Sequence, residues 1–219
     1  MKTSVIIPTK GRPLQLRCCL MGLKATTREH DVEVIVVVDQ CKVSAAMLKT
    51  IPDIKVINNA EHKGAVACWN QGYSVAKGAA IVLGADDVVF LNGWLDAALE
   101  TLEELDGWGM VGFNDGITPA HAFAPHFLMT RDFINRYMAG YFVPPCYKHH
   151  YIDLEATARA KRAGRYKWCE DARIEHRHHA HKLAVMDDVY KLANAYLEAD
   201  KAVYQARLAA GFPNDYKPL

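Results

Sequence analysis

No long apolar run, no excess of either charge and no cysteine spacing typical of a metal or redox motif occurs in this 219-residue chain. The opening stretch, MKTSVIIPTKGRP, holds only a short apolar run before Pro8, well below what a signal peptide or a membrane helix needs. With 26 Lys+Arg against 25 Asp+Glu the formal charge is +1, so no overall field gathers a nucleic acid or an acidic membrane. The cysteines, at 18, 19, 41, 68, 146 and 169, form one adjacent pair and four scattered positions without C-x-x-C, and read as reduced thiols. Internal repeats, low-complexity segments and flexible linkers are also missing. These features predict a soluble, cytoplasmic protein with no transmembrane segment and no nucleic-acid partner.

What is present reads as globular. Hydrophobic residues make up 51% and charged residues 23%, and a chain of this length buries roughly 70% of its unfolded surface. Short β-branched runs alternate with helical patterns: Ser4–Ile7, a helix over Pro13–Lys24, Glu33–Val38, Ile54–Ile57, a loop over Asn58–Gly64, a helix over Ala65–Lys77, then Ala79–Leu83. That order predicts βαβ units and a mostly parallel sheet with both faces covered. A helix over Asn92–Leu105 and a strand over Gly109–Gly112 follow, then an irregular stretch with Pro119, Pro125, Pro144 and Pro145. Asp153–Ala163 resumes helical spacing and stops at Gly164, and one long amphipathic helix is expected over Asp187–Ala210, with Gly211 and Pro213 as stop signals.

In open α/β sheets ligands collect at the carboxyl ends of the strands. Pro8, Thr9, Lys10, Gly11 and Arg12 follow the first strand, supplying cations and a helix start suited to an anion; Asp39 follows the second, Asn59 to Gly64 the third, and Gly84, Ala85, Asp86 and Asp87 the fourth. Adjacent carboxylates at the end of a buried strand repel one another and need a cation or donors, and hard divalent ions such as Mg²⁺ or Mn²⁺ suit carboxylate oxygens. A simpler alternative is that one of the pair caps the next helix or sits in a solvated turn.

Four segments in order, SVIIPTKGRP, EVIVVVDQ, HKGAVACWNQGYSVAKGAAIVLGADD, and YIDLEATARAKRAG with DARIEHRHH, resemble the family 2 glycosyltransferases of the GT-A fold. The resemblance spans residues 4 to about 179. It implies an α/β fold with a mostly parallel central sheet flanked by helices, followed by the long C-terminal helix. One domain is expected over 1–219: a nucleotide-binding half at 1–115, an acceptor and metal-completing half at 116–182, and a helical extension at 183–219. By the same resemblance Asp39 contacts the nucleotide base, and Lys63, Gly64 and Asn70 match a G-x-x-x-A-x-N-x-G element lying against nucleoside and phosphates. Asp86 matches the last residue of a D-x-D motif and ligates the metal, while Gly84 stands where the family has its first Asp, so Asp87 or water is left to meet the ribose. Asp153 falls where the family has its catalytic base, near a helix N-terminus whose dipole favours the ionised form; without the resemblance a plain cap is the preferred reading.

Six of the ten histidines lie between His149 and His181. The resemblance places a histidine after the last strand in the metal shell, aligned with His176, with His178 as the rival on the same strand face. A separate zinc site is the alternative reading, and His179 and His181 read as surface residues. Arg177 or Lys182 is a candidate to neutralise a leaving diphosphate; the four tryptophans read as core, with Trp168 a possible platform for an acceptor ring. The expected activity is a metal-dependent (Mn²⁺ or Mg²⁺) inverting transfer from a nucleotide-diphosphate sugar, UDP by default, to an acceptor of unknown identity. A nucleotidyltransferase and a catalytically inactive nucleotide-binding protein are the alternatives.

Overall fold

The computed structural model describes residues 1–216, with the side chain of His181 and residues 217–219 at the end of the expected C-terminal extension outside the description. The chain runs β1 (Thr3–Thr9), α1 (Pro13–Thr26), β2 (Val32–Asp39), α2 (Lys42–Leu48), β3 (Ile54–Asn59), α3 (Ala65–Val75), β4 (Ala80–Leu83), β5 (Val88–Phe90), α4 (Trp94–Glu103), β6 (Met110–Asn114), β7 (Phe127–Thr130), α5 (Arg131–Tyr137), α6 (Ile152–Arg162), β8 (Tyr166–His176), α7 (Asp188–Asn194) and α8 (Leu197–Ala209). The strands form one sheet in the order β3-β2-β1-β4-β7-β6-β8-β5. From β3 to β4 the pairing is parallel; β7 runs antiparallel to β4 and β6, β8 is parallel to β6, and β5 is antiparallel to β8.

Each face carries its own core. Leu16, Leu20 and Leu23 of α1 with Trp94, Leu95 and Leu102 of α4 cover one side, while Trp69 of α3, Phe133 of α5 and Ile152 and Ala156 of α6 cover the other. β4 is buried throughout and β1 at every residue but the half-buried Pro8, because helices cover both their faces. β3 stands at the edge of the sheet and is less covered, with Lys55 and Asn58 exposed. Helix α3 lies close on β1 at Gly72, where a Cβ would come 2.4 Å from Ile6 Cγ2.

Two expectations fail here. The single C-terminal helix is broken into α7 and α8 at Ala195 and Tyr196. Its first part lies over the strand ends through Tyr190 and Leu192, and its second packs against α6 through Arg207, so one straight rod cannot serve both surfaces. The irregular stretch after residue 115 contains β7 and α5, whose lengths of 4 and 7 residues are too short to show a period. No described helix is long and apolar enough to cross a membrane.

Candidate active site

A cavity of about 330 Å³ opens at the carboxyl ends of β1, β2 and β4 and is roofed by α7. Pro8, Thr9, Lys10, Arg12, Asp39, Gly64, Ala85, Asp86, Asp87, Asp153, His176 and His178 all line it, residues drawn from most of the chain's length. Lys63 and Asn70 do not. Lys63 contributes its backbone N–H to Asp39 at 2.8 Å, and both polar atoms of Asn70 are taken by the backbone of Val143, at 2.9 and 3.2 Å, so this side chain fastens α3 to the loop before α6.

The loop from Gly84 to Asp87 is held from several sides. Trp69 Nε1 donates to Gly84 O at 2.9 Å, Cys19 Sγ approaches Ala85 O at 3.4 Å, and Arg177 N–H donates to Asp87 O at 2.9 Å. A side chain at 84 has no room, since a Cβ would come 2.8 Å from Ile7 Cγ1 and 3.0 Å from Ile6 O. Neither carboxylate caps α4, whose N-cap is Gly93 in the left-handed region; both are buried in the cavity floor.

Asp86 Oδ2 accepts from Thr9 Oγ1 at 2.8 Å, and Arg12 Nη1 lies 3.4 Å from Asp86 Oδ1 and 3.3 Å from Asp87 Oδ2. Arg12 also makes a two-pronged pair with Asp187 at 2.7 and 2.9 Å and stacks 3.8 Å from the Tyr190 ring centroid, while the Tyr190 hydroxyl donates to Asp87 at 2.9 Å. The guanidinium thus supplies the positive charge that two adjacent buried carboxylates require. Burial, and then the neighbouring charge of Asp87, raises the proton affinity of Asp86. At Asp87 burial pulls the same way but is outweighed by its neighbours, the Arg12 guanidinium and the Tyr190 hydroxyl among them, so its carboxyl lies below the ordinary carboxylate range.

His176 Nε2 stands 3.7 Å from Asp87 Oδ1, and burial with a second imidazole nearby pushes its pKa down to about 3, leaving the ring neutral. That second ring is His126, unremarked in the sequence, which packs edge-on to His176 at 4.7 Å and is anchored through Nδ1 to Leu83 O at 3.1 Å. His178 Nδ1 accepts from Ala180 N–H at 3.2 Å, so that nitrogen is engaged by its own turn. His179 is half-buried against Tyr190, ring centroids 4.3 Å apart, and is not the surface residue expected; the corresponding expectation for His181 lies outside the described side chains.

On the other wall, Asp153 is the second residue of α6 and not its cap; that position belongs to Tyr151, at φ 67. Burial lifts the Asp153 carboxyl to about 6 against the helix amides of Leu154 and Asp153 and the charge of His150. The dipole expected to keep this group strongly acidic is therefore outweighed by loss of water. The loop before it is clasped by Asp200 of α8, whose carboxylate accepts from Lys148, His149 and His150 N–H at 2.9, 2.8 and 2.8 Å. Glu155 turns away into a buried cluster with Tyr147, Arg159 and Arg207. Lys148 lines the cavity, whereas Arg177 pairs with Glu175 outside it and Lys182 is exposed and not in its wall. Trp168 also lies outside it, with Nε1 donating to Glu170.

Comparison with known proteins follows the same outline. The sequence profile described as glycosyl transferase family 2 matches residues 4–148. Among solved structures, the chain resembles a mannosyltransferase, PcManGT, from Pyrobaculum calidifontis in complex with GDP-Man and Mn²⁺, at a TM-score of 0.66 and 16% identity over 96% of this chain and 79% of that one. It also resembles TarS 1–349 from S. aureus in complex with UDP-GlcNAc, at a TM-score of 0.62 and 18% identity over 78% of this chain and 56% of that one. No curated protein sequence matches it.

Proposed function

Since the chain belongs to glycosyl transferase family 2 and has the GT-A fold, we propose that it is a metal-dependent, inverting glycosyltransferase that moves a sugar from a nucleotide diphosphate, UDP by default, to an acceptor hydroxyl. The observation that carries this reading is the convergence of Asp153 with Asp86, Asp87 and His176 on one cavity. Residues 1–115 supply the donor side and 116–182 the acceptor side, with the segment after 183 as roof and clasp. All six thiols are free, which suits a reducing, cytoplasmic setting.

Asp153 accepts the acceptor's proton as the hydroxyl oxygen forms its bond to the anomeric carbon. The bond from that carbon to the diphosphate breaks on the opposite side, the electron pair leaves with the diphosphate, and a single displacement inverts the centre. A carboxyl near pKa 6 is ionised at neutral pH yet basic enough to take the proton. Asp39 meets the base, and Lys10 and Lys148 face the donor from the cavity wall.

Asp87 Oδ1 and His176 Nε2 fit a divalent cation, being an oxygen and a neutral imidazole nitrogen 3.7 Å apart, a gap that bonds of about 2.1 Å span. Asp86, expected as the ligand, is turned to Thr9 and Arg12, and His178 is less suited because its Nδ1 is engaged. Among the described residues no three such side chains stand close enough to hold an ion by themselves, so Asp87 and His176 would leave the rest of its shell to phosphates and water, as Mg²⁺ or Mn²⁺ accepts. When bound, the ion offsets charge developing on the leaving diphosphate.

A thermal-shift screen of nucleoside diphosphates and nucleotide sugars with and without Mn²⁺ tests this. At least one is expected to raise the melting temperature, more so with the metal; no stabilisation by any of them overturns the reading.

A further inference from the structure

We propose that the exposed face of α1, together with the loop before α7, docks the protein on an anionic lipid surface as a peripheral contact, no described helix being long and apolar enough to span one. The proposal stands apart from the donor reading. Helix α1 buries Leu16, Cys19, Leu20 and Leu23 against the sheet, yet its opposite face is apolar as well. There Leu14, Cys18 and Met21, at steps of four and three residues, form one exposed stripe, Leu14 at 75% and Met21 at 63%. A helix apolar on both sides calls for a cover on its outer side. The loop repeats the feature: Leu183, Val185 and Met186 are exposed, Val185 at 85%, more than any other large apolar side chain described.

Two links bring these apolar groups together. Arg12, the residue before α1, holds Asp187 at 2.7 and 2.9 Å, which ties the end of the loop to the start of the helix. Arg177, ahead of the loop, shares a cleft of about 210 Å³ with Leu14, Cys18 and Val89. The loop therefore begins and ends beside the first turns of α1. Charge then selects what covers this face. Neither α1 nor the run from His176 to Met186 holds an Asp or Glu, while Arg17 and Lys24 edge the stripe on one side and Lys182 opens the loop. The nearby carboxylates are engaged within the protein, Asp187 by Arg12, Glu175 by Arg177 and Asp188 by Lys191. Among the described residues no carboxylate lies within ion-pair distance of Arg17, Lys24 or Lys182. A second copy of the chain would set this face against itself about a two-fold axis, cation against cation with no acid to answer. A leaflet with anionic headgroups meets both halves of the pattern, taking the apolar tips beneath the headgroups and the lysine and arginine charges among them. The net charge of +1 does not oppose this, since salt confines the attraction to groups within roughly 10 Å of the surface.

The test is co-sedimentation of the full chain with vesicles of phosphatidylcholine alone and of phosphatidylcholine with about one third phosphatidylglycerol. Binding to the mixed vesicles is expected to be at least about tenfold tighter, and to fall severalfold as salt rises from about 0.1 to about 0.5 M. Val185→Ser with Met186→Ser is expected to weaken binding to the mixed vesicles about tenfold, and Arg17→Gln with Lys24→Gln to remove most of the preference for them. All four side chains are exposed, so the melting temperature of both variants is expected to stay at the wild-type value. Failure to bind either vesicle, equal binding to both, or unchanged binding in either double variant overturns the proposal. So does a dimer in sedimentation velocity that dissociates in the serine variant and shields the face from vesicles, which would assign it to a second copy. Should a variant not fold, the wild-type preference and its salt dependence decide alone.

Discussion

At Asp153 the helix terminus favours the charged form and burial opposes it, and burial wins, raising the carboxyl from the ordinary 3.8 to about 6. Between those values the folded protein holds a proton that the unfolded chain releases, so stability declines as pH rises through this window, and the penalty is complete above it. Asp153→Asn removes that penalty. The variant is expected to melt at or above the wild-type temperature at pH 8, by scanning calorimetry, while turnover drops about 10²- to 10⁴-fold with nucleotide binding intact. In the wild type, kcat/KM is expected to decline about tenfold per pH unit below 6, as the base is protonated; a flat profile there would remove Asp153 from the role. Gly84 is constrained in a different way, by space. Gly84→Ala is expected to cost about 1–3 kcal/mol in urea denaturation, because Ile7 and the Ile6 carbonyl already occupy the Cβ position. The first acidic residue of the family's motif therefore cannot be regained by one substitution. Much of this was legible: carboxylates at the ends of apolar strands announce themselves. The Arg12–Asp187 pair, 175 residues apart in sequence, and His126, a lone histidine in a pattern without a period, left no local signal.

Among the elements, β2 and β4 were readable because burial on both faces leaves unbroken apolar runs, Ile35–Val38 and Ala80–Leu83. β5 and β7, of 3 and 4 residues, are defined by their partners β8, β4 and β6 and carry too few residues to show alternation. Helix α2 is invisible for the same reason, burying only Ser44 and Leu48. Helix α7 has little core of its own and stays over the cavity largely through Arg12, Asp187 and Tyr190. Asp187→Asn combined with Tyr190→Phe is expected to leave the melting temperature within a few degrees of wild type and to speed proteolytic cleavage between residues 182 and 196 several-fold. Cleavage at the wild-type rate would show that other contacts hold the roof.

Over the full chain, the two sheet halves divide the labour. The parallel half brings Asp39, Asp86 and Asp87 to one rim, β8 sets His176 beside Asp87, and α6 brings Asp153 to the other wall. Helix α8 fastens the C-terminal segment to α6 and to the loop before it, through Arg207 on the buried Glu155 and Asp200 on that loop. Asp200→Ala leaves three backbone donors without their acceptor and is expected to cost at least about 1–3 kcal/mol. Its kinetic effect should appear in the acceptor's KM and in kcat, with nucleoside-diphosphate affinity unchanged; an equal loss of nucleotide affinity would argue for general unfolding instead. A polypeptide trimmed before residue 200 would then keep its grip on the donor while losing command of the group that receives the sugar, and would consume no substrate despite binding one. The tail is thus a hostage to catalysis, and selection on the reaction reaches a helix that never touches the cleft.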